Sequence, residues 1–454
     1  MRPPQLMAMM KFIVRRVAAW CWLAGLLPGP SWAHHGTETA AHQDTMSQVV
    51  PGVFTEVHQL LVTLQQNQSQ LVSLRHKEEK ARLMASLDQS KGPWTETHAR
   101  YRLLSALHAF TRYEERQRAE LARLRKLHKG VSKAQKAFLD HHVAYWAKFD
   151  RVEQRLTANQ QLCNDIVSTA LDFYRLDRSE LQSFIHDSEA QGHVADKTAV
   201  SQALKHIVRD WTQEGRHERH LPFACMLDTV DSLFPARQAA EPLRALLPGA
   251  GLGRLGHQLD RLGGFQVTIN EWSMFMNVVY RFLDTHGLQD QHSLYPFVDG
   301  WSHHATDADM LRKLSFPDDT LDPRSVLLVE GDFTTVFAHQ HGHYHLVLTY
   351  FFIDTARNLM SYLDTIKKLL KSGGYWLNLG PLLYGTAPFV QLSLEDIITI
   401  TKAMGFEFDH TDDKYGPLTF QGSTVRSIEA IYGFDNKALT KNSYNAQFWV
   451  AKKL

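Results

Sequence analysis

The residues that could do chemistry begin with a glycine turn. The segment LLPGAGLGRL, from Leu246 to Leu255, is an apolar run that is broken by Gly249, Gly251 and Gly253 and then continues as helix-like sequence. A strand, a tight glycine turn and a helix together direct backbone amides towards a ligand. Several kinds of nucleotide-derived cofactor are bound in this way, and some glycine turns bind nothing, so the turn indicates a cofactor site without identifying the cofactor.

Two acidic residues follow in positions that suit an adenosine group. Glu271 lies eighteen residues after Gly253, where the strand-like run FQVTIN ends, and a carboxylate there can accept both ribose hydroxyls. Such a contact serves NAD and S-adenosylmethionine alike. Asp332 and Phe333 follow a third strand-like run, where a carboxylate can bind the adenine amino group and a ring can lie on the base. The alternative role for Glu271 and for Asp332 is to cap a loop amide at the end of a strand.

These residues belong to an alternation of strand-like and helix-like sequence. Short apolar runs recur from Leu246 onward, as RALLPGAG, FQVTINEW, SVLLVEGDF, YHLVLTYFFID, GYWLNLGP and AQFWVAKK. The alternation predicts an α/β sheet with helices on both faces. From about residue 50 to 235, apolar residues recur every three or four positions, which predicts helices. The polar stretch from His186 to Ala199 is expected to be a surface loop.

Composition limits the kinds of partner. The chain has 454 residues and 44% hydrophobic content, enough for a large core and two structural parts. Its 49 Lys and Arg residues nearly balance its 48 Asp and Glu residues, so no overall field favours nucleic acid or an anionic membrane. A small neutral or zwitterionic substrate fits better. Cys21, Cys163 and Cys225 have neither zinc-ligand spacing nor a disulfide framework.

The N-terminus resembles a secretory signal peptide. Lys11, Arg15 and Arg16 precede the apolar run VAAWCWLAGLL, and the small residues of Ser-Trp-Ala at 31–33 suit a cleavage site. The run is too short to span a bilayer, so stable membrane insertion is not expected. The segment 1–33 therefore predicts entry into the secretory pathway. A transit peptide or an uncleaved extension is the alternative, with an organellar or cytoplasmic protein.

The order of these motifs resembles class I S-adenosylmethionine-dependent methyltransferases. The glycine turn, the acid after the second strand, the Asp-Phe pair and a long helix ending in LLKSGG before GYWLNLGP all occur in that order. This resemblance implies a Rossmann-like fold with S-adenosylmethionine as the cofactor.

A closer resemblance is to the carnosine N-methyltransferase family, whose members methylate an imidazole nitrogen of a histidine dipeptide. It is carried by PGAGLGRL, NEWSMFM, YPFVDGWSHHATDADMLRKLSFPD, GDFTTVF, FFIDTARN and GGYWLNLGPLLYG, and extends from about His98 to the C-terminus. The implied product from carnosine is anserine. The predicted organisation is a signal peptide at 1–33, a helical extension at 34–95 that the resemblance does not cover, a helical region at 96–235 and a methyltransferase domain at 236–454.

The resemblance implies a set of cofactor-binding residues. His206 and Arg209 belong to a helix that contains VRDW, and His206 stands where the family usually has glutamine. A histidine can still donate one hydrogen bond there. A salt bridge to a helix neighbour is the alternative role for Arg209. The full implied set is His206, Arg209, Gly249, Gly251, Gly253, Glu271, Asp332, Phe333 and Tyr350.

Asp354, in FFIDTARN, occupies the family's position for the catalytic carboxylate. Methyl transfer from a sulfonium is an in-line displacement, so the protein mainly supplies alignment. A neutral imidazole is a competent nucleophile, and its unperturbed pKa near 6.5 leaves most of it uncharged at neutral pH. A carboxylate bound to the opposite ring N–H would fix the tautomer and stabilise the imidazolium that forms. The alternative role for Asp354 is to cap the following helix.

The substrate side departs from the family pattern. Gly385 stands where the family carries a histidine that contacts the dipeptide. Tyr432 and Tyr444, twelve residues apart, keep aromatic positions that face the substrate in the family, but Asn442 replaces another tyrosine. Ordinary packing is the alternative role for both tyrosines. Histidine itself, another dipeptide or a histidine in a peptide or protein therefore remain alternative substrates, and an inactive protein that only binds the cofactor is a further alternative.

Several histidines need separate interpretation. His339, His341, His343 and His345 alternate in AHQHGHYH and could chelate a metal on one strand face, but Gly342 and the position just before a strand favour a solvated connection. No metal is therefore expected. His303 and His304 stand where the family tends to have asparagines and are expected to form hydrogen bonds in a loop over the cofactor. The sequence leaves open whether the chain forms a homodimer.

Overall fold

The computed structural model describes residues 73–322, 324–385 and 387–454. The predicted signal peptide, at 1–33, and the extension as far as residue 72 lie outside the described residues. The described residues form one compact unit, to which both the helical segment and the sheet belong.

The described chain is helical up to residue 233. The helices are α1 (Leu74–Ser86), α2 (Ala99–Thr111), α3 (Tyr113–His128), α4 (Lys133–Val143), α5 (Tyr145–Tyr174), α6 (Arg178–Ala190), α7 (Lys197–Trp211) and α8 (Arg216–Leu233). Buried apolar residues recur every three or four positions, as Val200, Leu204, Ile207 and Trp211 do in α7. The helical region predicted from this periodicity is confirmed over these residues.

The predicted surface loop from His186 to Ala199 is too long. In the structure α6 continues to Ala190, and α7 begins directly after Asp196, whose side chain caps it. The buried residues Leu181, Ile185 and Ser188 of α6 keep the three- and four-residue spacing. The polar residues between them lie on the outer face of a helix, and their polarity alone suggested a loop.

The second half of the chain contains the strands. They are β1 (Leu243–Pro248), β2 (Phe265–Glu271), β3 (His292–Leu294), β4 (Leu314–Phe316), β5 (Val326–Glu330), β6 (Tyr344–Tyr350), β7 (Leu370–Gly380), β8 (Phe406–Phe408), β9 (Arg426–Ile431) and β10 (Ser443–Lys453). The six predicted strands correspond to β1, β2, β5, β6, β7 and β10. The short hairpin β3–β4 and the strands β8 and β9 were not predicted.

One sheet carries all of these strands except β3 and β4. Its order is β5-β2-β1-β6-β7-β10-β8, with β9 paired to β10. The five strands β5, β2, β1, β6 and β7 are parallel to one another. Strand β10 runs antiparallel to β7, β8 and β9. The chain order reverses at β1, so a crevice opens at the carboxyl ends of β1 and β6, where open α/β sheets bind ligands.

Helices cover both faces of the sheet, as predicted. The helices of this half are α9 (Arg254–Arg261), α10 (Met274–His286), α11 (Asp307–Met310), α12 (Phe333–Val336), α13 (Leu359–Leu369) and α14 (Leu394–Ala403). Ala245 and Leu247 of β1 pack in a core shared with the helical region, and Leu246 between them packs in a second core with α13 and α14. Among the described helices, none has the length and apolar character that a membrane span requires.

Candidate active site

The glycine turn joins β1 to α9 at the carboxyl edge of the sheet. Gly249, Gly251 and Gly253 have φ angles of 63°, 57° and 77°, a region that side chains disfavour. A Cβ atom on Gly249 would lie 2.2 Å from a ring carbon of Phe352. The glycines therefore allow both the left-handed backbone and the close approach of the residues that follow β6.

Glu271 ends β2 beside this turn. Its Oε2 accepts the amide of Gly251 at 2.9 Å, and its Oε1 accepts the amides of Trp272 and Ser273, each at 2.8 Å. Burial raises the pKa of Glu271, and these three hydrogen bonds oppose the rise. The carboxylate thus caps loop amides and also lies at the glycine turn, where the predicted ribose contact would be made.

Asp332 and Phe333 lie at the end of β5 but face different environments. The exposed carboxylate of Asp332 accepts the amide and the hydroxyl of Thr334, at 2.7 and 2.6 Å, and so caps α12. The ring of Phe333 is buried and packs edge-on against Phe352 and Tyr362. The Phe333 ring is thus part of the core, and its expected stacking on an adenine stays a prediction.

Arg209 and Asp210, near the end of α7, contact the turn from the helical region. Arg209 Nε lies 2.8 Å from Asp210 Oδ1, and Asp210 Oδ2 accepts the amide of Leu252 at 3.2 Å. Arg209 Nη2 lies 3.3 Å from where a Cβ on Gly251 would be. Arg209 thus forms the alternative salt bridge to its helix neighbour while its guanidinium also lies beside the glycine turn.

The Arg209–Asp210 pair is buried and ionised. Burial by itself would raise the pKa of Asp210, but the adjacent Arg209 guanidinium outweighs it and holds that pKa below its usual value. Trp211 adds a hydrogen bond from its indole N–H to the carbonyl oxygen of Leu252, at 2.8 Å. Asp210 and Trp211 therefore bind both polar backbone atoms of Leu252, a contact that the sequence analysis missed.

His206 lies one turn earlier on α7. Its Nδ1 is buried and, among the described residues, has no hydrogen-bond partner. This atom lies 3.8 Å from where a Cβ on Gly251 would be, and the imidazole ring lies 5.3 Å from the ring of Phe434. Burial lowers the pKa of His206 to about 3, so the ring is neutral at physiological pH. A neutral ring with an unpartnered nitrogen at the glycine turn can hold a polar atom of a cofactor.

Asp354 lies in a 3₁₀ turn, Ile353–Thr355, just after β6. It is 7% exposed, and its Oδ2 accepts the amide of Leu383 at 3.2 Å. Burial raises its pKa to about 6, against the effect of this hydrogen bond. The alternative role as a helix cap is wrong, because α13 begins at Leu359 and its N-cap residue is Asn358.

Aromatic rings border the same strand end. Phe351 stacks on Tyr432 with ring centroids 5.0 Å apart and an interplanar angle of 10°, and Tyr444 lies 5.8 Å from Phe351 and 5.9 Å from Tyr432. Tyr350 contacts Phe223 of α8 edge-on at 5.5 Å, and burial raises the pKa of Tyr350. The three rings of Phe351, Tyr432 and Tyr444 are called the aromatic wall below.

The aromatic wall extends from the end of β6 towards Arg209 of the helical region. The guanidinium carbon of Arg209 lies 5.9 Å from the centre of the Tyr432 ring. Tyr432 and Tyr444 are each partly exposed, so they are not simply buried beneath the sheet edge. Gly385, after β7, is exposed, and a Cβ there would meet no atom within 4 Å. Gly385 therefore adds no side chain to the site.

The other histidines that the sequence singled out contact different parts of the chain. His303 and His304 line a cavity of ≈ 210 Å³ with Lys205 and Phe434, and the carbonyl oxygen of His303 accepts the amide of Leu439 at 2.7 Å. His343 and His345 contact Arg244 near the start of β6, at the opposite edge of the sheet. The described residues contain no cluster of three or more side chains suited to binding a metal.

The strand order, the glycine turn and the acids at successive strand ends define a class I methyltransferase. A family model described as carnosine N-methyltransferase matches residues 186–454. The carnosine N-methyltransferase of Schizosaccharomyces pombe is 30% identical over 380 residues, covering 77% of this chain and 94% of the relative. That of Rattus norvegicus is 29% identical over 317 residues, covering 67% and 74%. The chain belongs to the carnosine N-methyltransferase family.

Among solved structures, the chain is similar to phosphoethanolamine N-methyltransferase 2 of Haemonchus contortus in complex with S-adenosyl-L-methionine. It is 16% identical, covers 50% of this chain and 51% of its own, and has a TM-score of 0.32. The predicted family, fold class and methyltransferase activity are confirmed by the family match and the topology. S-adenosylmethionine is the methyl donor of this class. The roles of the individual site residues remain predictions, and the structure shows where these residues lie.

Proposed function

We propose that the protein methylates an imidazole nitrogen of a small histidine-containing molecule, such as carnosine, to give anserine. The observation that carries this proposal is the buried carboxylate of Asp354, which follows β6 beside the aromatic wall. A carboxylate there suits an imidazole, because it can accept the ring N–H while the other nitrogen attacks the methyl group.

The cofactor side fits S-adenosylmethionine. The unpartnered Nδ1 of His206 and the guanidinium of Arg209 both lie at the glycine turn, where Gly251 leaves room that a side chain would fill. Glu271, at the glycine turn, would bind the ribose hydroxyls, and Asp332, after β5, would bind the adenine amino group. When bound, S-adenosylmethionine supplies an electrophilic methyl group.

Asp354 would act on the substrate ring. One imidazole nitrogen faces the methyl group, and the other donates its N–H to the carboxylate of Asp354, which keeps the attacking nitrogen unprotonated. As the ring becomes positively charged, the same carboxylate stabilises it within a poorly solvated site. The pKa of about 6 leaves Asp354 ionised at neutral pH. The rings of the aromatic wall would restrict the orientation of the imidazole.

A protein or peptide histidine is a second candidate substrate, and the surface beside Asp354 favours it. Leu383, whose amide binds Asp354, is 63% exposed, and Phe389 is 71% exposed. With no side chain at Gly385, this edge of the site would leave room for the residues that flank a histidine in a peptide. Both candidates use the same ring chemistry and differ only in what is attached to the ring.

The test is methyl transfer by the full chain to a panel of carnosine, homocarnosine, histidine and short histidine peptides, read by mass spectrometry. Asp354→Asn is the comparison with reduced activity, and Asp364→Asn is its matched control, because Asp364 is an exposed carboxylate on the neighbouring helix α13. We expect one methyl group on an imidazole nitrogen with wild type and with Asp364→Asn. Absence of transfer to every compound would support an inactive cofactor-binding protein instead.

A further inference from the structure

A buried carboxylate on α8 contacts the segment that carries Tyr432. Glu218 is 1% exposed. Its Oε1 accepts the amide of Gly433 at 2.8 Å and also the amide of Phe434. Its Oε2 is enclosed and accepts no hydrogen bond from the residues that the structure describes. Burying a carboxylate is costly unless donors or a cation compensate for the lost water.

Among the described residues, no lysine or arginine forms an ion pair with Glu218. Nε2 of His217 lies 3.9 Å from Glu218 Oε1, beyond hydrogen-bond distance, and Nδ1 of His217 lies 2.8 Å from the carbonyl oxygen of Glu214. The guanidinium of Arg219 is bound to Asp318. Within the described chain, the two amides of Gly433 and Phe434 are thus what holds the Glu218 carboxylate.

The segment bound by Glu218 has a conformation that needs support. Phe434 has a φ angle of 60°, which lies in the left-handed region and is unfavourable for a bulky side chain. The two amides that Oε1 accepts belong to Phe434 and to the residue before it. Glu218 therefore stabilises the backbone at the point where it is strained.

The side chains of this segment reach both halves of the site. Tyr432 stacks on Phe351 in the aromatic wall, and the ring of Phe434 lies 5.3 Å from the ring of His206. A change in the backbone at Gly433 and Phe434 would therefore shift the wall against which the substrate ring lies.

We infer that Glu218 is a positioning residue for methyl transfer, which fixes the Tyr432–Phe434 segment by accepting two of its amides. This inference rests on the proposed function, in which Tyr432 faces the substrate. The reach of the side chain and its acceptor oxygen matter, and its charge does not. Glutamine can accept the same two amides, whereas aspartate keeps the charge but withdraws its oxygens by one methylene group.

The experiment compares Glu218→Gln, Glu218→Asp and Glu218→Ala with the wild-type full chain. Asp228→Asn is the matched control, because Asp228 is also a carboxylate on α8 but accepts the hydroxyl of Tyr415 outside the site, at 3.0 Å. For each variant, KM and kcat are measured with the imidazole substrate that wild type accepts, together with the affinity for S-adenosylhomocysteine by calorimetry and the thermal unfolding temperature.

We expect Glu218→Asp and Glu218→Ala to raise KM by about tenfold, since buried amides that lose their acceptor typically cost an amount of this order. Glu218→Gln and Asp228→Asn should keep the wild-type KM, and all variants should keep their affinity for S-adenosylhomocysteine. If Glu218→Ala does not fold, the contrast between the Gln and Asp variants decides the matter. Wild-type KM in Glu218→Asp, or a raised KM in Glu218→Gln, would overturn the inference. A wild-type protein that methylates no imidazole would instead refute the proposed function.

Discussion

Replacing Asp354 with asparagine removes the charge of the carboxylate but keeps its shape and one acceptor oxygen for the amide of Leu383. Burial raises the pKa of Asp354 from 3.8 to about 6. At about 1.4 kcal/mol per pKa unit, the ionised carboxylate is destabilised by about 3 kcal/mol. A positive charge that forms on a bound imidazole would recover an amount of this order. Because Asp354→Asn cannot stabilise that positive charge, the substitution should lower kcat by about a hundredfold.

The same shift predicts the opposite effect on stability. The folded protein binds the Asp354 proton more tightly than the unfolded chain does, so the stability that this group contributes falls as pH rises from about 4 to about 6. At pH 8 wild type buries an ionised carboxylate, which destabilises the folded state, whereas the asparagine variant does not. We expect its unfolding temperature to equal or exceed that of wild type.

The assay measures kcat at saturating substrate, affinity for S-adenosylhomocysteine and thermal unfolding at pH 8, with Asp364→Asn as the control. The expected pattern is a large loss of kcat, unchanged cofactor affinity and no loss of stability. Wild-type turnover in Asp354→Asn would refute the catalytic role. A lower unfolding temperature would show that the carboxylate is structural.

Further predictions concern pH, the cofactor side and the N-terminus. For wild type, kcat/KM should rise with pH through about 6, where Asp354 ionises, and level off above about 7, where a free imidazole is neutral; a profile that is flat between pH 5 and 8 would contradict this. Glu271→Ala should weaken S-adenosylhomocysteine binding by roughly 1.5 to 3 kcal/mol by calorimetry, because an acceptor for two hydroxyls is lost. Gly249→Ala should lower the unfolding temperature more than Gly263→Ala, because both glycines have positive φ but only a Cβ on Gly249 would meet the Phe352 ring; equal effects would remove the steric explanation. If the predicted signal peptide is cleaved after Ala33, the intact mass of secreted protein should correspond to a chain that begins at His34, and recovery of the full-length chain from the cytosol would contradict it.

The parts of the fold that the sequence predicted are those with a strong local pattern. The strands β1, β2, β5, β6, β7 and β10 are apolar because helices cover both faces of the sheet, and long apolar runs are visible in one sequence. The strands β3, β4 and β8 have only three residues each, too few for a periodicity, and exist through pairing with partners elsewhere in the chain.

The site residues also divide into those that a local pattern predicts and those that depend on contacts between distant parts of the chain. The glycine turn, Glu271 and Asp354 follow strands directly, so their positions could be predicted from order alone. Asp210 could not, because its contact with Leu252 joins residues 42 positions apart. The contact of Glu218 with Gly433 joins residues 215 positions apart, and no local pattern indicates it. The burial of the Phe333 ring could not be predicted either, because sequence order shows where a strand ends but not which side chains there are buried.

The contacts of α7 and α8 determine how this chain can be recombined with its relatives. The predicted boundary at residues 235 and 236 separates helical from alternating sequence, yet Asp210 and Trp211 hold Leu252, and Glu218 holds Gly433 and Phe434, across it. A chimera joined at that boundary would pair the turn of one parent with the supporting side chains of another. Junctions placed before Lys197, ahead of α7, would transfer the glycine turn, the Tyr432–Phe434 segment and the residues that hold both as one inherited unit.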